Sequence, residues 1–116
     1  MTRLDTQAID ALLAALPQWR YSAERGGLIK REFVFDDFVG AFGFMAKIAL
    51  LAERINHHPE WSNVYNRVSM TLTTHDVMGL SNRDAEMGAN ADRLYAADPG
   101  LSSPSETAGR SAASAA

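Results

Sequence analysis

The chain contains no cysteine among its 116 residues. A disulfide framework and any thiolate chemistry are therefore excluded. The same absence agrees with a reducing cytoplasm, which is where we expect the protein to be located.

The chain also lacks a surplus of basic residues and a long apolar run. Its 11 Lys and Arg stand against 14 Asp and Glu, a net charge of -3. A protein that holds nucleic acid through the phosphates needs a basic face, so we expect no nucleic-acid partner. The longest apolar stretch, residues 38–52, is 15 residues long and includes Lys47. A transmembrane helix needs about 20 apolar residues, and the N-terminus has no signal-peptide core, so we expect no membrane partner.

The composition that remains is ordinary for a globular protein, with 47% hydrophobic and 22% charged residues. A chain of this length forms one domain. Residues 98–116 are rich in Ser, Ala, Pro and Gly and have no apolar period, which predicts a disordered tail. The folded domain is therefore expected to span residues 1–97.

Hydrophobic periodicity predicts the element order α-β-β-α-β-β-α. A first helix is expected over residues 6–16, where Pro17 ends it. Asp36 or Asp37 is expected to cap the second helix, and Ser81 the third. Strands are expected at residues 19–22, 28–35, 61–65 and 66–74. This order predicts an α+β fold, a two-layer sandwich in which three helices cover one face of a four-stranded antiparallel sheet.

The second predicted helix, which ends near Ile55, is apolar around most of its circumference. One stripe at helical spacing contains Phe38, Phe42, Met45, Ala49 and Ala52. A second set lies outside this stripe and contains Val39, Phe44, Ile48, Leu50 and Leu51. A helix that covers one sheet needs a single apolar stripe. We therefore expect the second face to meet another subunit rather than a deeper monomeric core.

The chain has three histidines, and all of them lie at the ends of predicted elements. His57 and His58 follow the second helix, where the negative end of the helix dipole favours a protonated imidazole and Pro59 disfavours helical angles. His75 ends the last strand and, if alternation persists, points away from the core face. An imidazole exchanges protons near neutral pH and can act as acid or base.

The residues alone leave three explanations of these histidines open. Two adjacent histidines before a proline can form a polar loop without further function. A zinc site is disfavoured, because neighbouring side chains diverge and no His-x-His or His-x-x-x-His pair presents two ligands on one face. The third explanation is an acid/base site.

A longer pattern resembles the pterin-4a-carbinolamine dehydratase family. Its signature has an acidic residue, then His-His-Pro, an aromatic residue, a further His and an Asp. The chain carries them in order as Glu53, His57, His58, Pro59, Tyr65, His75 and Asp84. The resemblance is closest over residues 41–84, extends more weakly over most of residues 4–96, and does not include the tail.

The resemblance implies an enzyme, a 4a-hydroxytetrahydrobiopterin dehydratase that uses neither a metal nor a cofactor. Such a lyase removes water from 4a-hydroxytetrahydropterin and yields quinonoid dihydropterin, so that the tetrahydropterin can be recycled. The resemblance also implies three helices on a four-stranded sheet and a homo-dimer or homo-tetramer. The alternative is a non-catalytic protein-interaction module on the same fold, a dimerisation cofactor or an assembly scaffold. It is disfavoured because all three histidines are present.

The reaction needs an acid for the leaving hydroxyl and a base for the adjacent ring nitrogen. The resemblance implies that His57 and His75 form this acid/base pair, and that His58 binds and orients the pterin.

Four further residues are expected to bind the substrate, and each has a structural alternative. Asp84 also occupies the third helical position of the predicted capping box. Glu53 lies one helical turn before His57 and can pair with it or with a surface cation. Pro59 can serve to shape the loop. Trp19 can stack on a pterin ring or lie in the core or at its rim.

Overall fold

The computed structural model describes residues 1–97, and the predicted tail at residues 98–116 lies outside the described residues. The helices are α1 Thr6–Ala15, α2 Phe38–Ile55 and α3 Asn82–Ala96. The strands are β1 Arg20–Ser22, β2 Leu28–Val34, β3 Glu60–Val64 and β4 Arg67–Leu72. Two short 3-10 turns, Glu24–Gly26 and His75–Val77, complete the described elements. The predicted order and the predicted α+β sandwich are confirmed.

The four strands form one antiparallel sheet in the order β1-β2-β4-β3. Ile29 pairs with Leu72 and Phe33 pairs with Val68, and all four side chains are buried. The intervening side chains point to the opposite face, where Lys30 and other polar residues are exposed. This alternation gives the sheet one apolar face that the helices cover.

All three helices contribute to the core on that face. Leu12 comes from α1, Phe44 and Ile48 come from α2, and Met87 and Ala91 come from α3. Each side chain is at most 5% exposed. The core is therefore a single layer between the sheet and the helices, as in other two-layer folds.

Local signals set the ends of the helices near the site. The Asp37 side chain accepts a hydrogen bond from the Gly40 N–H at 2.9 Å and begins α2. Asn56 ends α2 in the left-handed conformation, with φ 55° and ψ 46°. Asn adopts this conformation more readily than most residues. Ser81 and Asp84 form the predicted capping box at the start of α3.

Arg31 interrupts the apolar face of β2, and a partly buried polar cluster compensates for it. Its Nη1 lies 2.6 Å from Asp92 Oδ1 in α3, and the Trp19 indole N–H donates to the same oxygen at 2.9 Å. The Trp19 ring packs edge-on against Phe33 and is 4% exposed. Trp19 is therefore part of the core.

Helix α2 is apolar on two faces, as predicted, but the residues on each face differ from the predicted sets. Phe44, Ile48 and Leu51, predicted for the second face, lie in the core, and Phe38 and Phe42 of the first predicted stripe are exposed. The core side is formed by Ala41, Phe44, Ile48, Leu51 and Ala52. The exposed side carries Phe38, Val39, Phe42 and Leu50, which are 46%, 68%, 57% and 72% exposed. Despite this apolar character, no helix within residues 1–97 combines the length and composition that a bilayer span requires.

Candidate active site

The three histidines meet where three element ends converge. The end of α2 supplies His57 and His58, the 3-10 turn after β4 supplies His75, and the start of α3 supplies Asp84. A surface cavity of about 250 Å³ lies there, and its lining includes His57, His58, His75 and Arg83. The structure thus brings together the three imidazoles that the sequence pattern singled out.

His57 is held from behind by a buried carboxylate. Its Nε2 lies 2.6 Å from Asp84 Oδ1, and Asp84 is fully buried. An ionised carboxylate accepts hydrogen bonds and donates none, so Nε2 carries the proton in this pair. In the neutral ring Nδ1 then has the free lone pair, and His57 can accept a proton at that atom.

Asp84 serves the helix and the histidine together. Its Oδ2 accepts the Thr74 hydroxyl at 2.7 Å and the Ser81 backbone N–H at 2.9 Å. The carboxylate therefore accepts three hydrogen bonds with His57 included. It lies behind His57, is fully buried and is not among the residues that line the cavity, so its predicted capping role is observed and its substrate-binding role stays a prediction.

Glu53 pairs with His58 rather than with His57 or with a surface cation, which corrects the predicted pairing. Its Oε2 lies 2.6 Å from His58 Nε2. The left-handed turn at Asn56 explains the difference, because it directs His57 inward and leaves His58 at the surface beside the last turn of α2. The side chains of His58 and Glu53 are 55% and 79% exposed. An exposed pair of this kind contributes only about 0–1 kcal/mol to stability.

His75 lies in the 3-10 turn after β4. The predicted alternation of inward and outward side chains does not continue from the strand to this residue. β4 ends at Leu72, and both Thr73 and Thr74 are buried. The Thr73 hydroxyl donates to the Gly27 carbonyl at 2.7 Å, while Thr74 contacts Asp84. Two successive inward side chains break the period of two, so His75 emerges on the turn with its side chain 79% exposed.

A second carboxylate lies beside His75. Glu60 Oε2 is 3.6 Å from His75 Nε2. Arg25 donates to both oxygens of Glu60, at 3.0 and 3.1 Å. These hydrogen bonds, and more weakly the nearby His75, hold the pKa of Glu60 below its ordinary value of 4.5. Glu60 is therefore an ionised carboxylate held by Arg25 beside His75.

The remaining predicted residues lie away from the cavity wall. Pro59 is half-buried and connects His58 to the first residue of β3. Trp19 is enclosed in the core with its N–H bonded to Asp92, so its ring is not free to stack on a ligand. The structure supports the core alternative for Trp19.

Sequence reasoning missed Arg83 and Thr74. Arg83 Nη1 donates to the Asn56 carbonyl at 2.9 Å and links the start of α3 to the end of α2. A cation in the first turn of a helix is unfavourable, and that position could have drawn attention to Arg83. The sequence holds no comparable indication for Thr74, whose contact with Asp84 depends on the fold.

A metal centre is not formed by these side chains. Within the described residues, no group of three His, Cys, Asp or Glu side chains lies close enough together to hold one ion. The chemistry that the arrangement supports is proton transfer, with a free ring nitrogen on His57 and a solvent-accessible imidazole at His75.

Comparison with known proteins gives one consistent family. Residues 2–94 match the family model described as pterin 4 alpha carbinolamine dehydratase. A relative from Novosphingobium aromaticivorans, named provisionally as a pterin-4-alpha-carbinolamine dehydratase, is 58% identical over 87 residues, which cover 75% of this chain and 90% of the relative.

Two solved structures are also similar. A transcriptional coactivator/pterin dehydratase from Brucella melitensis is 43% identical with a TM-score of 0.76, over 80% of this chain and 98% of that chain. A pterin dehydratase-like protein, identified as a RuBisCO assembly factor in the alpha-carboxysome, is 22% identical with a TM-score of 0.59, over 67% of this chain and 89% of that chain. The second likeness concerns the fold alone.

Proposed function

Because the chain belongs to the pterin-4-alpha-carbinolamine dehydratase family, we propose that it catalyses the loss of water from 4a-hydroxytetrahydropterin to give quinonoid dihydropterin. The observation that carries this proposal is the cavity with three imidazoles, one of which is bonded through Nε2 to the buried Asp84. Such a pair fixes which ring nitrogen is free to take a proton, which is what a proton-transfer reaction requires.

The reaction needs two proton transfers and no redox partner. The bond between carbon 4a and its hydroxyl oxygen breaks, and an acid protonates that oxygen so that it leaves as water. The lone pair of the adjacent ring nitrogen forms the new carbon–nitrogen double bond, and the proton of that nitrogen passes to a base. One proton is given and one is taken, so the enzyme returns to its starting state after proton exchange with water.

We assign the base to His57 and the acid to His75. The Nε2–H of His57 is committed to Asp84, so Nδ1 is the atom that takes the proton, and Asp84 stabilises the imidazolium that forms. His75 is exposed and lies 3.6 Å from the Glu60 carboxylate, and its exposure allows reprotonation from solvent. A positioned acid or base contributes about 10²–10⁴-fold to such a rate.

His58 and Glu53 have a binding role in this proposal. His58 lines the cavity, where its imidazole can form a hydrogen bond with the edge of a flat heterocycle, and Glu53 holds that imidazole from outside the cavity at 2.6 Å. Pro59 limits the backbone freedom of the loop that carries His58. We assign no substrate contact to Trp19.

The test is the dehydration rate of freshly generated 4a-hydroxytetrahydropterin, followed by ultraviolet absorbance with and without the protein. We expect a large acceleration that a metal chelator leaves unchanged. A folded protein that gives no acceleration would contradict the proposal, and a loss on chelation that zinc restores would revive a metal mechanism.

A second proposal concerns the exposed face of α2, which carries Phe38, Val39, Phe42 and Leu50. We propose that this face meets the same face of another copy, in a homo-dimer or homo-tetramer, because burial of a large apolar side chain contributes about 1.5–3 kcal/mol. Sedimentation of the wild type and of a Val39→Glu/Leu50→Glu variant tests it. We expect the variant to be monomeric, and a monomeric wild type would contradict the proposal.

The expected cytoplasmic location of the protein stays a prediction.

A further inference from the structure

Thr74 is linked to both proposed proton-transfer groups, to His75 through the chain and to His57 through Asp84. It directly precedes His75 in the chain, and its hydroxyl lies 2.7 Å from Oδ2 of Asp84, the carboxylate that holds His57. Its side chain is buried, with 5% of the residue exposed. No other residue of the described chain combines these two connections.

The hydrogen bonds around Thr74 allow one assignment of protons. The hydroxyl has a single proton, and the carboxylate of Asp84 can only accept it. Ser81 Oγ lies 2.8 Å from Thr74 Oγ1, so the Ser81 hydroxyl must donate to Thr74. The result is a directed series in which Ser81 donates to Thr74, Thr74 donates to Asp84, and Asp84 also accepts from His57.

The backbone of Thr74 closes the loop that carries His75. Its N–H donates to the Gly79 carbonyl at 2.8 Å, and the Gly79 N–H donates back to the Thr74 carbonyl at 3.3 Å. The same carbonyl accepts the N–H of Val77 at 3.2 Å. The turn with His75 is therefore fixed at Thr74 by three hydrogen bonds.

We propose that Thr74 is a positioning residue that fixes the two imidazoles relative to each other, through its hydroxyl on the His57 side and its backbone on the His75 side. Its hydroxyl is bonded to Asp84 and Ser81, so the role proposed for it is to position the imidazoles and not to transfer a proton. Without the hydroxyl, Asp84 Oδ2 keeps the Ser81 N–H as its donor, and the carboxylate can rotate away from His57. The catalytic part of this inference rests on the proposed dehydratase function.

The test compares variants that separate the hydroxyl from the bulk of the side chain. Thr74→Val removes the hydroxyl and keeps the shape, Thr74→Ser keeps the hydroxyl, and Thr74→Ala is a second deletion for use if the valine variant does not fold. Thr73→Val is the matched control for the hydroxyl, because it removes a neighbouring buried hydroxyl that bonds to the Gly27 carbonyl at 2.7 Å and to the Gly79 carbonyl at 3.4 Å, and not to Asp84.

Two readouts are needed. The first is the NMR resonance of the His57 Nε2 proton, which reports the bond to Asp84 without any substrate. We expect it to shift or disappear in Thr74→Val and Thr74→Ala, and to stay in place in Thr74→Ser and Thr73→Val. The second is kcat. We expect kcat to fall about ten-fold in Thr74→Val with KM little changed, because small misplacements of catalytic groups are costly. We expect kcat to recover in Thr74→Ser.

An unchanged His57 resonance in both hydroxyl deletions would overturn the proposal, as would an equal change in Thr73→Val. A wild type without dehydratase activity would defeat the proposed function instead, and the NMR comparison would still decide whether Thr74 positions His57.

Discussion

The two walls of the cavity are built in opposite ways. On the inner wall, His57 is buried against Asp84, which accepts three hydrogen bonds and is itself inaccessible to water. On the outer wall, His58 and His75 are more than half exposed and face carboxylates that are also at the surface. The inner wall fixes an orientation, because burial and multiple hydrogen bonds restrict it. The outer wall exchanges protons with water and responds to salt and pH.

Apart from removal of His57 or His75 themselves, the largest expected effect comes from Asp84→Asn on the inner wall. The amide N–H can donate to Nε2 of His57, which would move the ring proton to Nδ1 and leave that atom without a lone pair to take a proton. We expect kcat to fall by about 10²-fold or more, by the logic of other carboxylate–imidazole pairs, and stability to fall by about 1–3 kcal/mol. Glu86→Gln, an equal charge change at an exposed position of α3, serves as the control. Equal activity in the two variants would show that the inner wall is not needed for the reaction.

A smaller effect is expected from the outer pair of Glu53 and His58. Their proposed role is binding, so His58→Ala should raise KM by roughly ten-fold, the effect of about 1.4 kcal/mol of lost hydrogen bonding. Glu53→Gln should give a smaller rise, because the pair is exposed. Steady-state kinetics on both variants separates KM from kcat. A change confined to kcat would assign His58 to proton transfer instead.

The smallest expected effect concerns Arg25 and Glu60, at the edge of the outer wall. The pKa of Glu60 is lowered from its ordinary value of 4.5 in the folded protein. The pair with Arg25 therefore stabilises the fold fully above pH 4.5, and this stabilisation is lost as the pH falls through the lowered pKa of Glu60. Arg25→Gln should therefore lower Tm slightly near neutral pH and not in strong acid. Thermal melts at both pH values check this. A Tm difference that persists in strong acid would mean that Arg25 stabilises the fold by another route.

The features that the sequence predicted correctly are those set by nearby residues or by a regular pattern. Helix ends were predictable because their signals are local, such as the Asp37 cap and the Ser81 capping box. The sheet was predictable because its alternation is regular. The convergence of the three histidines was predictable only from the family resemblance. The family signature specifies how far apart in the chain the site residues lie, whereas hydrophobic periodicity describes one helix or strand at a time.

The errors in the prediction share a physical cause, which is contact between distant parts of the chain. Thr73 turns inward toward Gly27, 46 residues away, and this contact ended the alternation on which the placement of His75 depended. Trp19 lies in the core because Asp92, 73 residues away, accepts its N–H. No local pattern contains these two contacts. The pairing of Glu53 with His58 is the exception, because it follows from one nearby residue, the left-handed Asn56.

The most direct test of the account is the dehydration rate of His57→Ala and His75→Ala beside the wild type, with folding checked by circular dichroism. If His57 and His75 are the base and the acid, both variants fold normally and lose about 10²–10⁴-fold in dehydration rate. Near-wild-type rates in both folded variants would contradict it and remove the imidazoles from the mechanism.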